Sequence, residues 1–392
     1  MHYDVIVVGL GAFGAATVYQ LARRGVNVAG VDRFSPPHDQ GSSHGDTRIT
    51  RQAIGEGAAY VPLALNSHRI WRELEALSGA PLLEACGMLM LSDSRVATRG
   101  HGTADFAGET AALARSFGIE HDLLNAAEIA QRFPQFTGYS SHAVGYYEPG
   151  AGYVRPERAI EVQLKLAQQA GAALYPNTPV LSMEAYDGGV RVHTSAGTFT
   201  AGRVISCAGM WSAKLLGGPF PSLLKVCRQQ LFWFELDEPE RFAPDSPVYI
   251  LLDGDADTDS CYGFPPLPGE NAIKIATENY ADSGDPDHID RSINQADVDA
   301  MYEQHVAGRL AGVSRRLLRA KACTYTITPD FNFLIDEHPQ LPGVTVVSAC
   351  SGHGFKHSAA VGEALAMHYC RETGAADLSA FRLNKAAVSA TR

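Results

Sequence analysis

The first 32 residues constrain the fold of this chain more than any other segment. Residues 3–8 form an apolar, largely β-branched run, which is typical of a strand buried on both faces of a parallel sheet. The turn Gly9-Leu-Gly-Ala-Phe-Gly14 follows at once, and an alanine-rich helix is expected over Ala15–Arg24. A second strand, predicted over Val26–Val31, ends at Asp32. Together these elements predict one complete β-α-β unit at the start of the chain.

The glycine spacing in this unit is typical of dinucleotide binding. Gly9 permits the tight turn, Gly11 lets the backbone approach a pyrophosphate, and Gly14 lets the helix pack on the strand. The free N–H groups at the start of the helix can then bind the phosphates. Asp32 follows Gly14 by 18 residues and can accept a hydrogen bond from a ribose hydroxyl. Because a carboxylate disfavours a 2′-phosphate, we expect FAD or NAD rather than NADP.

Composition excludes several other classes of protein. The formal net charge is −11, so the chain repels nucleic acids and anionic membranes, and an anionic substrate needs a local cluster of cations. Residues 5–22 carry no charge, but glycines interrupt them and no basic segment precedes them, which argues against a membrane span or a signal peptide. The seven cysteines are scattered without a Cys-x-x-Cys pair, so we expect no disulfides, no metal site and a cytoplasmic location.

The rest of the chain alternates between two kinds of pattern. Apolar strands like those of the first unit recur at Arg203–Cys207 and Val344–Ala349. Residues 218–280 alternate in the manner of antiparallel strands, and residues 285–319 are predicted to be polar and helical. Parallel-sheet elements therefore occur at the start, the middle and the end of the chain, with antiparallel insertions between them.

Four further segments carry a resemblance to a known family. They are Gly41-Ser-Ser-His-Gly-Asp-Thr-Arg-Ile-Thr-Arg51, Tyr262-Gly-Phe-Pro265 followed by Lys274, Cys323-Thr-Tyr-Thr-Ile-Thr-Pro-Asp330, and Ser351-Gly-His-Gly-Phe-Lys356. Together with the glycine-rich turn, they make the chain resemble the monomeric sarcosine oxidases and N-methyltryptophan oxidases of the D-amino-acid-oxidase-like flavoenzymes. The resemblance extends from Tyr3 to about His368.

The resemblance implies an α/β fold of two domains, as in glutathione-reductase-like and D-amino-acid-oxidase-like proteins. One is a Rossmann-like FAD-binding domain, and the other is a substrate domain built on an antiparallel sheet. We expect the FAD-binding domain to be discontinuous and to comprise residues 1–82, 144–217 and 318–392. The substrate domain is expected to comprise residues 83–143 and 218–317.

The resemblance also implies how FAD is held. Cys323 matches the family's cysteine that forms a thioether to the flavin 8α carbon, whereas an ordinary buried cysteine is a small apolar core residue. Bond formation needs a thiolate, and the nearby cations Arg316, Arg319 and Lys321 either favour one or form a solvated helix face. The expected cofactor-binding residues are Gly9, Gly11, Gly14, Asp32, Ser42, Ser43, Cys323, Gly352, Gly354 and Lys356.

Three residues are implied to act in catalysis: Lys274, Arg48 and His44. Lys274 is implied to lie beside the flavin N5 position, where its ammonium stabilises the charge that develops as O2 is reduced. The alternative is a lysine at a sheet edge that keeps its head group in solvent. Arg48 is implied to pack near the flavin, and His44 belongs to the same loop.

The same comparison implies a substrate-binding set. Arg51 and Lys356 would bind the substrate carboxylate, with Arg51 as the bidentate partner. Tyr262 and Tyr325 would line the substrate pocket, or would alternatively belong to the core. Four residues after Lys274, where the sarcosine-oxidising members carry a pocket histidine, this chain has a glutamate at position 278. The amine end of the substrate is therefore expected to be recognised differently.

The implied activity is oxidation of an N-methyl α-amino acid, such as sarcosine or N-methyltryptophan, to the demethylated amino acid, formaldehyde and H2O2. A cyclic imino acid oxidase for proline- or pipecolate-like substrates would need the same carboxylate-binding cations. Lys274 argues against a flavin dehydrogenase that passes electrons to a carrier, and the Cys323 segment argues against an NAD enzyme. A non-catalytic flavin-binding module would need neither set of cations. We expect a monomer whose partners are a small amino acid and O2.

Overall fold

Two sheets organise the computed structural model, which describes residues 1–96, 98–242, 246–254 and 257–383. The first sheet contains the β-α-β unit, in which the helix Ala12–Ala22 joins two neighbouring parallel strands. Within the described residues this sheet has eight strands. In spatial order they are Ala173–Tyr175, Val28–Val31, His2–Val8, Gly197–Ser206, Gly189–Thr194 and Val180–Tyr186, with Val344–Ser348 beside Gly197–Ser206 and Leu334–Glu337 beside Val344–Ser348.

Strands far apart in the sequence meet at the centre of this sheet. Gly197–Ser206 pairs in parallel with His2–Val8 on one side and with Val344–Ser348 on the other. All three end at the same edge, so the turns that follow them lie next to one another. In open parallel sheets, ligands bind at this carboxyl edge of the strands.

The second sheet also has eight strands within the described residues. Its parallel pair is Val248–Leu252 with Met88–Asp93, and its other neighbours are antiparallel. The spatial order is Val313–Ile327, Lys225–Leu236, Ala272–Thr277, Cys261–Phe264, Val248–Leu252, Met88–Asp93, Ala143–Glu148 and Asp122–Asn125.

Smaller elements lie beside the two large sheets. The strands Arg48–Thr50, Gly152–Val154 and Leu83–Glu84 form a small antiparallel sheet, and Arg99–Gly100 pairs with Thr103–Ala104 in a hairpin. The α-helices are Ala12–Ala22, Val61–Ser78, Phe106–Phe117, Ala126–Arg132, Pro156–Gln169, Ser212–Leu216, Phe220–Leu223, Gln295–Met301 and Ser358–Cys370.

The helix Ala12–Ala22 packs against Ser358–Cys370 at short range. A Cβ atom on Gly362 would lie 2.5 Å from the Cβ of Ala16, so only small residues fit at this contact. The buried side chains of both helices are mainly alanines and other small residues. This contact holds the turn before Ser358 close to the glycine-rich turn of the first unit.

The prediction of a β-α-β unit is confirmed, and so is that of an antiparallel region within residues 218–280. The prediction of helix over residues 285–319 is wrong for most of that segment. An α-helix occupies only Gln295–Met301, a π-helical turn continues to Val306, and a long strand begins at Val313. This strand lies at the edge of the sheet, where its first arginines are solvent-exposed. By composition alone, its run of Arg and Leu is typical of a helix.

The proposed domain division stays a prediction. The boundary at 143/144 lies inside the strand Ala143–Glu148, and the boundary at 317/318 lies inside Val313–Ile327. Residues 97, 243–245, 255–256 and 384–392, which the proposed domains include, lie outside the described residues. Among the helices of the described part, none is both long and apolar enough to cross a bilayer.

Candidate active site

The glycine-rich turn is shaped by close backbone contacts. Gly9 has a φ of +88°, and a Cβ atom there would lie 2.4 Å from the carbonyl oxygen of Cys207. A Cβ atom on Gly14 would lie 1.7 Å from the carbonyl oxygen of Gly9. Gly11 differs, because the nearest atom to a Cβ there is the Ser43 Oγ at 3.8 Å. Gly9 and Gly14 are thus required by the fold, and Gly11 keeps space open.

This contrast gives a stability prediction. We expect Gly14→Ala to lower the free energy of unfolding of the ligand-free protein by roughly 1–3 kcal/mol, because the new methyl group overlaps a backbone oxygen. Gly11→Ala is the control, and it should leave that free energy within about 0.5 kcal/mol of wild type. Denaturant unfolding followed by circular dichroism measures both. Equal stability of the two variants would contradict the role given to Gly14.

Asp32 closes the same turn. Its carboxylate accepts hydrogen bonds from the backbone N–H groups of Leu10 at 2.7 Å and Phe34 at 2.8 Å. The Nε2 of His38 lies 3.4 Å from one of its oxygens. The carboxylate is therefore fixed at the carboxyl edge of the sheet, with lone pairs left for a ligand hydroxyl.

A cavity of about 610 Å³ starts at this edge. Its lining includes Gly11, Asp32, Tyr325 and Gly352. The helix Ala12–Ala22 begins against it with no side-chain cap from the described residues, so its first N–H groups are available to phosphates. Further lining residues among those predicted to bind the cofactor are Gly9, Ser42, Ser43 and Gly354. These features fit a dinucleotide such as FAD.

The loop of residues 41–51 forms one wall of this cavity and is held by one of its own arginines and by a lysine of the second sheet. Arg48 donates hydrogen bonds to the carbonyl oxygens of Ser42 and Thr47, both at 2.8 Å. Lys274 reaches across from the second sheet, and its Nζ donates to the carbonyl oxygens of Gly45 at 2.7 Å and Thr47 at 2.8 Å. The loop is thereby locked in one conformation.

Lys274 is buried, with 3% of its surface exposed. Its Nζ lies 4.5 Å from the centre of the Phe264 ring. Burial, together with the neighbouring Arg48, lowers the pKa of Lys274 well below its ordinary value. A lysine with its head group in solvent is therefore excluded. Within the described part of the chain, Arg48 lines both cavities of this region. Lys274 lines neither of them and lies behind the loop.

Cys323 lies beneath the same loop and is 1% exposed. The Nη2 of Arg48 donates to its Sγ at 3.5 Å. Burial raises the pKa of the Cys323 thiol, but the neighbouring His44 and Arg48 side chains outweigh burial and lower it to about 6. A thiolate is thus favoured at neutral pH.

The cations expected to favour this thiolate were chosen wrongly. Arg316 pairs with Glu235 and Asp237 on the exposed side of the sheet, and Arg319 pairs with Asp46 and Glu270. All of them lie on or beside strands, so the alternative of a helix face is also wrong. The side chains that lower the pKa of this thiol come instead from the loop of residues 41–51. Arg48 lies 275 positions before Cys323 in the sequence.

A second cavity of about 110 Å³ adjoins the first. The two share Arg48, Tyr325, Gly352 and Phe355 as lining residues. Tyr262 lines the second cavity, and its hydroxyl lies 3.0 Å from that of Tyr325. Both tyrosines therefore face this pocket, as predicted for a substrate site, although each also packs against buried apolar residues.

The predicted carboxylate ligands meet in the second cavity. Arg51 and Lys356 both line it and both contact one carboxylate, that of Glu56. The Nη2 of Arg51 lies 2.7 Å from Glu56 Oε2, and the Nζ of Lys356 lies 3.6 Å from Glu56 Oε1. Lys356 stands in the 3-10 turn Phe355–His357, before the last helix rather than inside it. Within the described part of the chain, Lys356 lines the second cavity and does not line the first.

Their charges depend on one another. Burial raises the pKa of Glu56, but Arg51 and Lys356 outweigh it and hold the pKa well below its ordinary value. Burial lowers the pKa of Lys356 to about 8, against the opposing effect of Glu56. The site therefore carries two cations and one carboxylate at neutral pH.

Among the lining residues that were not predicted as site residues, Glu56, His101 and Glu278 contact one another. His101 comes from the hairpin between Arg99 and Ala104, and its Nε2 lies 3.0 Å from Glu278 Oε1. Its Nδ1 lies 3.2 Å from Glu56 Oε1. Burial lowers the pKa of His101, but Glu278 and Glu56 outweigh burial and raise it to about 9. Two sequence signals were present: Glu278 stands where the resemblance places a pocket histidine, and Glu56 is a carboxylate between two glycines just after Arg51.

Comparisons with known proteins identify the family of this chain. The chain matches the FAD dependent oxidoreductase family over residues 4–367. It is 38% identical over 376 residues to the monomeric sarcosine oxidase of Streptomyces avermitilis, covering 93% of this chain and 92% of that protein. It is 33% identical over 398 residues to the N-methyl-L-tryptophan oxidase of Yersinia pestis, covering 98% of this chain and 99% of that protein.

Two solved structures share the fold. NikD, an amino acid oxidase essential for nikkomycin biosynthesis, matches with a TM-score of 0.84 and 24% identity over 97% of each chain. The glycine oxidase of Geobacillus kaustophilus matches with a TM-score of 0.77 and 22% identity over 98% of this chain and 99% of that one. The predicted two-domain flavoenzyme fold is thereby confirmed.

Proposed function

The chain belongs to the FAD dependent oxidoreductase family, and we propose that it oxidises the N-methyl group of a small α-amino acid with O2 as electron acceptor. The products are the demethylated amino acid, formaldehyde and H2O2. The observation that carries this proposal is the pair Arg51 and Lys356, buried in a cavity that adjoins the dinucleotide cavity. The proposal includes a monomeric protein in the cytoplasm.

The charge balance of the second cavity supports a substrate with one carboxylate. Among the described residues that line it, Arg48, Arg51, Lys356 and His101 are buried or partly buried cations, Arg99 is an exposed cation, and Glu56 and Glu278 are the carboxylates. The lining therefore carries more positive than negative charge, which favours a substrate with a carboxylate. Buried charges are stable only when they are paired, so a neutral amine without a carboxylate would leave the surplus uncompensated.

The residues of the first cavity would hold FAD, and Tyr325 and Gly352 line both that cavity and the second one. Bound FAD supplies the two-electron acceptor for the hydride equivalent that leaves the N-methyl carbon. Arg51 and Lys356 bind the carboxylate and thereby align the methyl carbon, and the walls of the cavity exclude bulk water. The imine that results is hydrolysed in water.

Two finer features belong to the same proposal. Cys323 forms a thioether to the flavin, which its low thiol pKa and its contact with Arg48, a wall residue of the cavity, support. Lys274 supplies the cation for O2 reduction, and Arg48 and His44 hold the loop and the thiolate beside it. Asp32, Ser42, Ser43, Gly352 and Gly354 are proposed to contact FAD.

Peroxide release tests the activity directly. Sarcosine, N-methyl-L-tryptophan, L-proline and L-pipecolate are offered to the flavin-loaded protein, and we expect peroxide with the N-methyl compounds. Peroxide from the cyclic compounds alone would favour the imino acid oxidase. Flavin that is reduced under nitrogen but releases no peroxide in air would favour a dehydrogenase.

A substitution tests the carboxylate ligands. We expect Arg51→Lys to lower kcat/KM about 10–100-fold, because charge-assisted bonds contribute roughly 1.5–3 kcal/mol each and the fork of the guanidinium is lost. Arg72→Lys is the matched control, since Arg72 pairs with Glu75 on an exposed helix. The amide of the substrate should be oxidised comparably poorly by wild type. If the amide is oxidised as well as the acid, the carboxylate site is wrong.

A further inference from the structure

Four side chains of the second cavity form a row of alternating charge. Arg51 pairs with Glu56 at 2.7 Å, Glu56 lies 3.2 Å from His101, and His101 lies 3.0 Å from Glu278. The row begins with a cation and ends with a carboxylate. A ligand that complements both ends carries a negative group at Arg51 and a positive group at Glu278.

The carboxylate end of the row lies where the two cavities join. Glu278 lines the second cavity, and a Cβ atom on Gly352 would lie 3.3 Å from Glu278 Oε1. Gly352 lines both cavities. Tyr280 donates a hydrogen bond to Glu278 Oε2 at 2.6 Å, which fixes the carboxylate, and 21% of the Glu278 side chain stays exposed. Each of its oxygens keeps a lone pair for a ligand.

We propose that Glu278 binds the amine nitrogen of the substrate, so that the cavity recognises an amino acid at both ends. The inference rests on the proposed function for the carboxylate end. The nitrogen becomes positive during the reaction: when the adjacent carbon loses a hydride equivalent (one proton and the two electrons of the C–H bond) to the bound flavin, the nitrogen lone pair forms the C=N bond. A carboxylate beside that nitrogen stabilises the charge that develops, and Glu278 itself is unchanged.

Binding of two non-reacting ligands tests the inference without turnover. Glycine betaine and 3,3-dimethylbutanoate have the same shape and carboxylate, and they differ in a quaternary nitrogen or carbon. Calorimetry on the oxidised, flavin-loaded protein gives the ratio of their dissociation constants. We expect Glu278→Gln to weaken the binding of betaine about tenfold relative to that of 3,3-dimethylbutanoate. The dissociation constant of 3,3-dimethylbutanoate itself should stay nearly unchanged. Glycine and propanoate are a smaller pair of the same design, for use if the trimethyl groups do not fit.

Two further variants separate charge from structure. Glu278→Asp keeps the carboxylate and should keep the wild-type ratio within about threefold. Glu270→Gln removes a carboxylate of similar exposure, 19% against 21%, which pairs with Arg319 away from the cavity. It should leave the ratio unchanged. An unaltered ratio in Glu278→Gln, or an equal shift in Glu270→Gln, would overturn the inference.

Measurements on the wild-type protein provide an independent test that needs no substitution. Betaine should bind at least as tightly as its carbon isostere, although a cation is costlier to desolvate. If the isostere binds more than tenfold tighter, Glu278 does not bind the nitrogen. Failure of the proposed function has another signature, since N-methyl amino acids would then release no peroxide whatever the ligand ratio.

Discussion

Replacing Lys274 with methionine is expected to slow the reoxidation of reduced flavin by O2 about 10²–10³-fold and to change the reduction by substrate far less. The reason is electrostatic. O2 takes up negative charge as it is reduced, and a buried cation stabilises that charge more than an exposed one does. The ammonium of Lys274 is held rigidly by the carbonyl oxygens of Gly45 and Thr47, so little reorganisation is needed.

Stopped-flow measurement of the two half-reactions tests this expectation. The same contacts also give Lys274 a purely structural role in fixing the loop, and that role would slow both half-reactions alike. Thr47→Val is the matched control, because it removes the acceptor that lies 3.2 Å from the Lys274 Nζ and keeps the cation. It should affect neither half-reaction strongly. Equal losses in both half-reactions of Lys274→Met would remove the assignment.

The pH dependence of reoxidation has a definite sign. A lysine is charged below its pKa and neutral above it. Because burial and Arg48 lower the pKa of Lys274 well below its ordinary value, fast reoxidation should be lost at a lower pH than an ordinary lysine would give. The rate constant for reoxidation of the reduced wild-type protein, measured across alkaline pH, gives this midpoint.

Much of the FAD-binding part of the fold could be predicted from the sequence because its signals are local. Gly9, Gly11, Gly14 and Asp32 lie within one short unit, and apolar runs mark the central strands. The start of the strand Val313–Ile327 was not predicted, because exposed arginines at the edge of a sheet do not distinguish a strand from a helix by composition. There the pairing with Lys225–Leu236 decides the conformation, and pairing is not a local property.

The chemistry-bearing residues that were missed share one cause. His101 belongs to a hairpin whose sequence carries no binding motif, and its partners Glu56 and Glu278 are 45 and 177 positions away. Only the folded chain brings a loop after the first unit, a hairpin and a strand end into one cavity. The cations beside Cys323 were misassigned for the same reason, because residues close to Cys323 in the sequence were expected to be close to it in space.

Replacing Cys323 with serine is expected to convert a covalently held flavin into one that acid releases completely. A serine hydroxyl is not ionised at neutral pH, whereas the Cys323 thiol has a pKa of about 6 and is largely thiolate there. After acid precipitation, the wild-type pellet should be yellow and the Cys323→Ser supernatant should be yellow. Cys350→Ser is the control, because Cys350 lines the same cavity but burial raises the pKa of its thiol.

The rate of attachment should follow the ionisation of the same thiol. When flavin-free protein is mixed with FAD, attachment should be nearly independent of pH above about 7 and should fall about tenfold per pH unit below about 6, as the thiolate is protonated. His44→Asn removes one of the two neighbouring side chains that lower this pKa, so the fall should begin at a higher pH. A pellet that stays yellow in Cys323→Ser, or a colourless wild-type pellet, would show that the flavin is held in another way. A midpoint that does not move in His44→Asn would mean that Arg48, at 3.5 Å from the sulfur, stabilises the thiolate alone.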